Sequence, residues 1–148
     1  MNVIDGILNA INNLTKRISR LEVQGYGQFI PLTTELTSTS FDGDSFSNVG
    51  ATVLDLSAVF GVPAGIKAAL VQVIARDSAA WGTDGLYVAV GANATAEWPL
   101  TIRPAGGDVW LEGLGIVPCT TTGDFSYTIN ASGTNTMEVY IRIWGYWI

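Results

Sequence analysis

The chain has 148 residues, 48% of them hydrophobic and 14% charged, a balance too apolar for a disordered segment and a length suited to one domain with a short appendage. Thirteen acidic residues against seven basic ones give a net charge of −6, so binding gains nothing from phosphate counterion release and nucleic acid is not an expected partner. With no His and a single Cys, His-dependent triads, internal disulfides and Cys/His metal sites are excluded.

Residues 1–25 carry an apolar repeat with helical spacing. Ile4, Ile7, Ile11, Leu14, Ile18 and Leu21 step by 3, 4, 3, 4, 3, which are a and d positions of a heptad. Ile at every a position and once at d favours three or four strands over two. Asn9, Asn12, Asn13, Lys16, Ser19 and Arg20 leave only this narrow seam apolar. A helix packed on its own domain needs a wider apolar face. Arg17 and Glu22 frame Ile18 and Leu21 in a six-residue pattern resembling one known from parallel trimeric coiled coils, with Arg17 at g and Glu22 at e. That is the spacing at which a g residue reaches an e residue of the next chain. The expectation is a trimerisation helix over 1–25, about 35 Å long at 1.5 Å per residue. Three heptads are marginal alone, so the following domain has to help hold the chains together. Gly25 and Gly27 then break the helix around Tyr26.

The same N-terminal stretch has no basic segment leading into an apolar core, so no secretory signal is expected, and no apolar run approaches the roughly 18 residues of a membrane span. The expectation is a product made in the cytoplasm without membrane insertion.

From residue 26 the period switches to two. Phe125–Ile129 and Met137–Trp144 alternate cleanly, and further candidate strands are Gln28–Thr39, Thr52–Leu56, Ala68–Arg76, Leu86–Val90, Trp98–Arg103 and Val109–Glu112. Turn signals separate them, among them Asp42-Gly43-Asp44, Gly82-Thr83-Asp84-Gly85 and Pro104-Ala105-Gly106-Gly107. Residues 58–69 hold at most one helical turn. Residues 26–148 therefore read as a mainly β head, an antiparallel β-sandwich of jelly-roll type. Ala68–Ala75 is apolar on both faces, which predicts burial on both sides, and the apolar closing segment Ile143–Ile148 predicts a chain end tied into a sheet or subunit contact.

Chemistry-bearing residues are sparse. The acids are scattered singly, no phosphate-binding glycine loop occurs, and enzyme activity is not expected. Asp42, Asp44 and Ser45 supply too few ligands for a Ca²⁺ loop, so no metal or cofactor is predicted. Cys119 reads as a small apolar residue at a strand end. Among five Trp and five Tyr, Trp81 lies in a loop and Trp98 and Trp110 flank strand starts beside Glu97 and Asp108. These three are the candidate glycan or receptor contacts, against the alternative that aromatics fill the sandwich and the trimer contacts.

A heptad segment leading into a small, His-free, acidic β-sandwich resembles bacteriophage fibre and virion-surface proteins. Leu54-Asp55-Leu56-Ser57, the stretch Val62-Pro63-Ala64-Gly65-Ile66-Lys67-Ala68-Ala69-Leu70-Val71 and the close in Trp144-Gly145-Tyr146-Trp147 are similar to segments of phage structural proteins and bacterial surface domains. The resemblance implies a homotrimer on the virion surface, joined to other virion proteins through its N-terminal segment. Its heads would adhere to a host cell-surface glycan. The alternative is a capsid decoration protein that stabilises the shell without binding a receptor. With only about 25 residues before the head, a short accessory fibre is expected rather than a full-length tail fibre.

Overall fold

The computed structural model describes residues 7–9, 11–13, 27–92 and 98–148. Residues 7–9 and 11–13 are α-helical, and Ile7 is 54% exposed. Of the heptad positions, Ile4, Leu14, Arg17, Ile18, Leu21 and Glu22 lie outside the described residues, as does the expected boundary near residue 25.

The head is mainly β: two antiparallel sheets packed face to face. Its strands are β1 (Phe29–Leu36), β2 (Asp42–Phe46), β3 (Val49–Leu54), β4 (Ala68–Asp77), β5 (Tyr87–Gly91), β6 (Leu100–Ile102), β7 (Leu111–Pro118), β8 (Phe125–Asn130) and β9 (Met137–Trp147). The first sheet runs β1-β9-β4-β7, with β2 pairing β9 beyond the end of β1, and the second runs β3-β8-β5-β6. Among the described residues only β5 and β6 are both consecutive and paired; β1 and β2 follow one another along β9, and every other connection crosses between the sheets.

Alternation explains the packing. β4 points Ala69, Val71, Val73 and Ala75 inward and leaves Leu70, Gln72, Ile74 and Arg76 on the outer face. β9 does the same with Val139, Ile141 and Ile143 inward. These side chains join Val88, Val90, Leu100, Ile102, Phe125 and Ile129 of the second sheet in one core. Each fully buried aliphatic or Phe side chain contributes about 1.5–3 kcal/mol of transfer free energy.

The helix Leu56–Phe60 closes one end of the sandwich. Asp55 caps it by accepting from the Ala58 amide at 2.9 Å, Gly61 ends it in the left-handed region, and Leu56 and Phe60 are buried. Phe60 stacks on Phe41, which meets Tyr127 edge-on at 5.2 Å. Cys119 sits just past β7 against the core, where burial and then the Asp124 charge push its thiol up to about 12, so it stays protonated.

Several boundaries differ from the sequence reading. Asp42-Gly43-Asp44 is not a turn but the start of β2, with a bulge at Gly43 (φ 105°) where Tyr140 lies close over the backbone. Across the bulge Asp42 pairs with Tyr140 and Asp44 with Val139, neighbours that face opposite sides of β9, so the two carboxylates do not converge. β7 extends to Pro118 rather than stopping at Glu112. Its glycines are strand residues whose missing side chains leave room for Leu100 and Ile102. β3 starts at Val49, β6 is shorter than expected, and the helical turn begins at Leu56.

Candidate functional site

The loop after β4 and the loop after β6 are stitched together at one end of the sandwich. The Gly107 amide donates to the Ala79 carbonyl at 2.6 Å, the Asp108 amide to Asp77 at 3.1 Å, and the Gly82 amide to Ala105 at 2.7 Å. Gly106 and Gly107 are both in the left-handed region (φ 77° and 70°). A side chain at Gly106 would run into the Ala79 and Ala80 carbonyls.

Beneath these loops Asp77, 0% exposed, ends β4. One carboxylate oxygen accepts from the Ala79 amide at 2.8 Å and the Ser132 hydroxyl at 2.5 Å; the other accepts from the Ser132 amide at 3.1 Å and the Thr136 hydroxyl at 3.2 Å. Burial alone would raise this carboxyl, but the four hydrogen bonds outweigh it and hold the group below its ordinary 3.8. Asp77 thus ties the β4–β5 loop to the β8–β9 turn.

On this anchored frame Trp81 stands 71% exposed. Its ring lies against Gly107, where an added methyl would come within 2.9 Å of Cε3. Next to it in the chain begins a depression of about 340 Å³ lined by Gly82, Thr83, Asp84, Gly85, Leu86, Arg103, Pro104 and Ala105. The size falls in the range of small-ligand sites, about 300–1,000 Å³. Asp84 makes no ion pair among the described residues, while the Arg103 guanidinium sits 5.6 Å from the Tyr87 ring centroid. The depression offers the Asp84 carboxylate as acceptor, the Arg103 guanidinium as donor and the Thr83 hydroxyl oxygen, whose proton goes to the Ala80 carbonyl at 2.7 Å, with the exposed Trp81 ring adjacent in the chain, groups that suit a polyhydroxylated ring with one apolar face.

The three Trp residues singled out from sequence do not converge. Trp110 lies on the outer face of the first sheet, with the Arg76 guanidinium 4.5 Å from its ring centroid and the Tyr140 ring at 5.5 Å. Arg76 is itself held by Glu138 through two hydrogen bonds of 3.0 and 2.9 Å. Trp98 is half-buried just before β6, where its carbonyl accepts from the Thr101 hydroxyl at 3.4 Å. Glu97 lies outside the described residues. Sequence reasoning missed Asp84, Arg103 and Tyr87. Tyr87 and Arg103 meet because the β5–β6 hairpin pairs Val88 with Ile102, and no local pattern announces that register.

Among the described residues no group of three His, Cys, Asp or Glu is placed to hold a metal ion, and no helix is long and apolar enough to cross a membrane. Comparison with family models, curated proteins and solved structures found no match.

Proposed function

We propose that this chain is a homotrimeric bacteriophage virion-surface protein, a short fibre whose N-terminal coiled coil carries three jelly-roll heads for adhesion to a host-surface glycan. The observation that carries this reading is the polarity of the head. β4 runs from Ala68, beside the point where the heptad segment joins, to Asp77, where the Trp81 loop begins. Its ten residues place these ends about 30 Å apart. Gly27 packs against Ile148 and Lys67 at the near end, while Trp81 and its depression occupy the far end. A stalk at one end and a rigid aromatic site at the other is the layout an adhesive fibre requires. The strand order adds support, since β1/β2-β9-β4-β7 over β3-β8-β5-β6 is the order of two interlocked Greek keys. The heptad with Ile4, Ile7, Ile11, Leu14, Ile18 and Leu21, flanked by Arg17 and Glu22, supplies the trimeric stalk.

Trp81→Ala in the full chain tests the site. Binding to host cells or to an array of cell-surface glycans should fall about tenfold or more, with the solution mass unchanged. Unchanged binding together with a blank array rejects the glycan site. Particles lacking the protein that adsorb normally but lose heat resistance would identify a shell-stabilising decoration protein instead.

A further inference from the structure

The outer face of the first sheet carries large exposed aliphatic side chains along its β7 edge, an arrangement that does not serve a solitary sandwich. In β7 the inward positions hold Gly113 and Gly115 between Leu111 and the buried Val117, and Leu100 and Ile102 of the second sheet close over the two glycines, whereas the outward positions hold Leu114, 60% exposed, and Ile116, 55% exposed. A strand of a monomeric head places its large aliphatic residues inward and its small or polar ones outward. Apolar side chains continue along the outer face of the neighbouring strands at this end of the sheet. Ile116 lies opposite Leu70, Leu70 opposite Gly145, and the Phe29 ring covers Gly145, so one apolar row crosses all four strands. The neighbouring row is apolar at its margin and internally hydrogen-bonded: Trp144 donates to Gln72 at 2.9 Å and Gln72 to Glu112 at 3.0 Å, with Leu114 outermost. Charge enters beyond the apolar row: Arg142 opposite Gln72 and 4.0 Å from Glu35, then Glu112 opposite Ile74, and at the far end Arg76 paired with Glu138 beside Trp110.

Position identifies the occupant. Phe29 is two residues beyond Gly27, where the heptad segment enters, so the apolar row lies at the stalk end of the head and the charged residues lie from the middle of the face to the tip. Chains held together by a stalk joined at that corner bring the same corners of their heads together, and the apolar area of the face is graded toward that point. We propose that the outer face of the first sheet, centred on Leu70, Leu114, Ile116 and Phe29, packs against a second copy of this chain around the trimer axis, leaving the second sheet and the Trp81 loops outward. This rests on the trimeric reading above and assigns the face by which the heads meet.

The test uses the full chain with hydroxyl-radical footprinting and light scattering together. Val53, 65% exposed on β3 of the second sheet, is the internal control. The expected result is a trimeric mass with Leu114 and Ile116 labelled several-fold more slowly than Val53. Leu114→Glu should raise the concentration of half-assembly about tenfold or more, and Val53→Glu should leave it unchanged. A trimer whose Leu114 and Ile116 label as fast as Val53, or whose assembly ignores Leu114→Glu, overturns the assignment of this face while leaving the trimer standing. A mass of 15.7 kDa at all concentrations overturns both.

Discussion

Asp77 is charged and without solvent exposure, yet its four hydrogen bonds favour the ionised form, and this makes one residue a source of pH-dependent stability. Because its folded pKa is depressed below 3.8, its contribution is complete above the unfolded value and is lost as pH falls through the folded one. Thermal stability should therefore drop as pH falls below about 4, followed by calorimetry. Asp77→Asn keeps the size but turns one acceptor into a donor facing Ser132 or Thr136. It should cost about 2–3 kcal/mol at pH 7 and flatten the acid limb of the stability profile. An unaltered acid limb in Asp77→Asn would assign that pH dependence to other carboxylates. Asp55, whose carboxylate is also held low by the Ala58 amide and Ser57 hydroxyl, acts only on the short helix.

At the scale of elements, the paired loops after β4 and β6 carry the proposed glycan site, and their close approach depends on glycine. Gly106→Ala drives a methyl into the Ala80 carbonyl and to 3.0 Å from the Ala79 carbonyl oxygen in a left-handed backbone (φ 77°). The loops have to separate or the backbone flip. Urea unfolding should show a loss of about 2–4 kcal/mol, and glycan binding should fall with Trp81 displaced even where the head remains folded. Full stability in this variant would mean that the loops are not rigidly docked. The same physics limited what the sequence disclosed. β4 and β9 are legible because their apolar residues alternate without interruption, and the apolar C-terminus correctly predicts a tied-down end. β2 and the second half of β7 are not legible, because Gly43, Gly113 and Gly115 look like turn residues until Tyr140, Leu100 and Ile102 are known to occupy the space over them. Likewise the glycines around Thr83 and Asp84 mark a loop. What joins it to Arg103 is a hairpin register, and what anchors it is an Asp whose partners lie 55 and 59 residues away.

At the scale of the whole molecule the proposed trimer implies a separation between what a head binds and what the assembly holds. A shallow, open site with one exposed Trp is suited to weak binding of a single sugar unit, so firm attachment has to come from three heads engaging one surface at once. The stalk then contributes to adhesion without touching the ligand. Replacing Ile4 and Ile18 together by Asp puts charges into the a layers of the heptad and should reduce the full chain to single subunits. Titration of such subunits with a soluble monovalent sugar should give the wild-type affinity per head. Retention on a glycan-coated surface should collapse by about 10²–10⁴, the usual gain from linked binding. Equal retention by the single-subunit variant would mean that one head suffices, and the apolar seam would then need another purpose, such as docking to the particle. Loss of the monovalent affinity as well would place part of the binding site between subunits, with the Trp81 loops of one head completed by its neighbour.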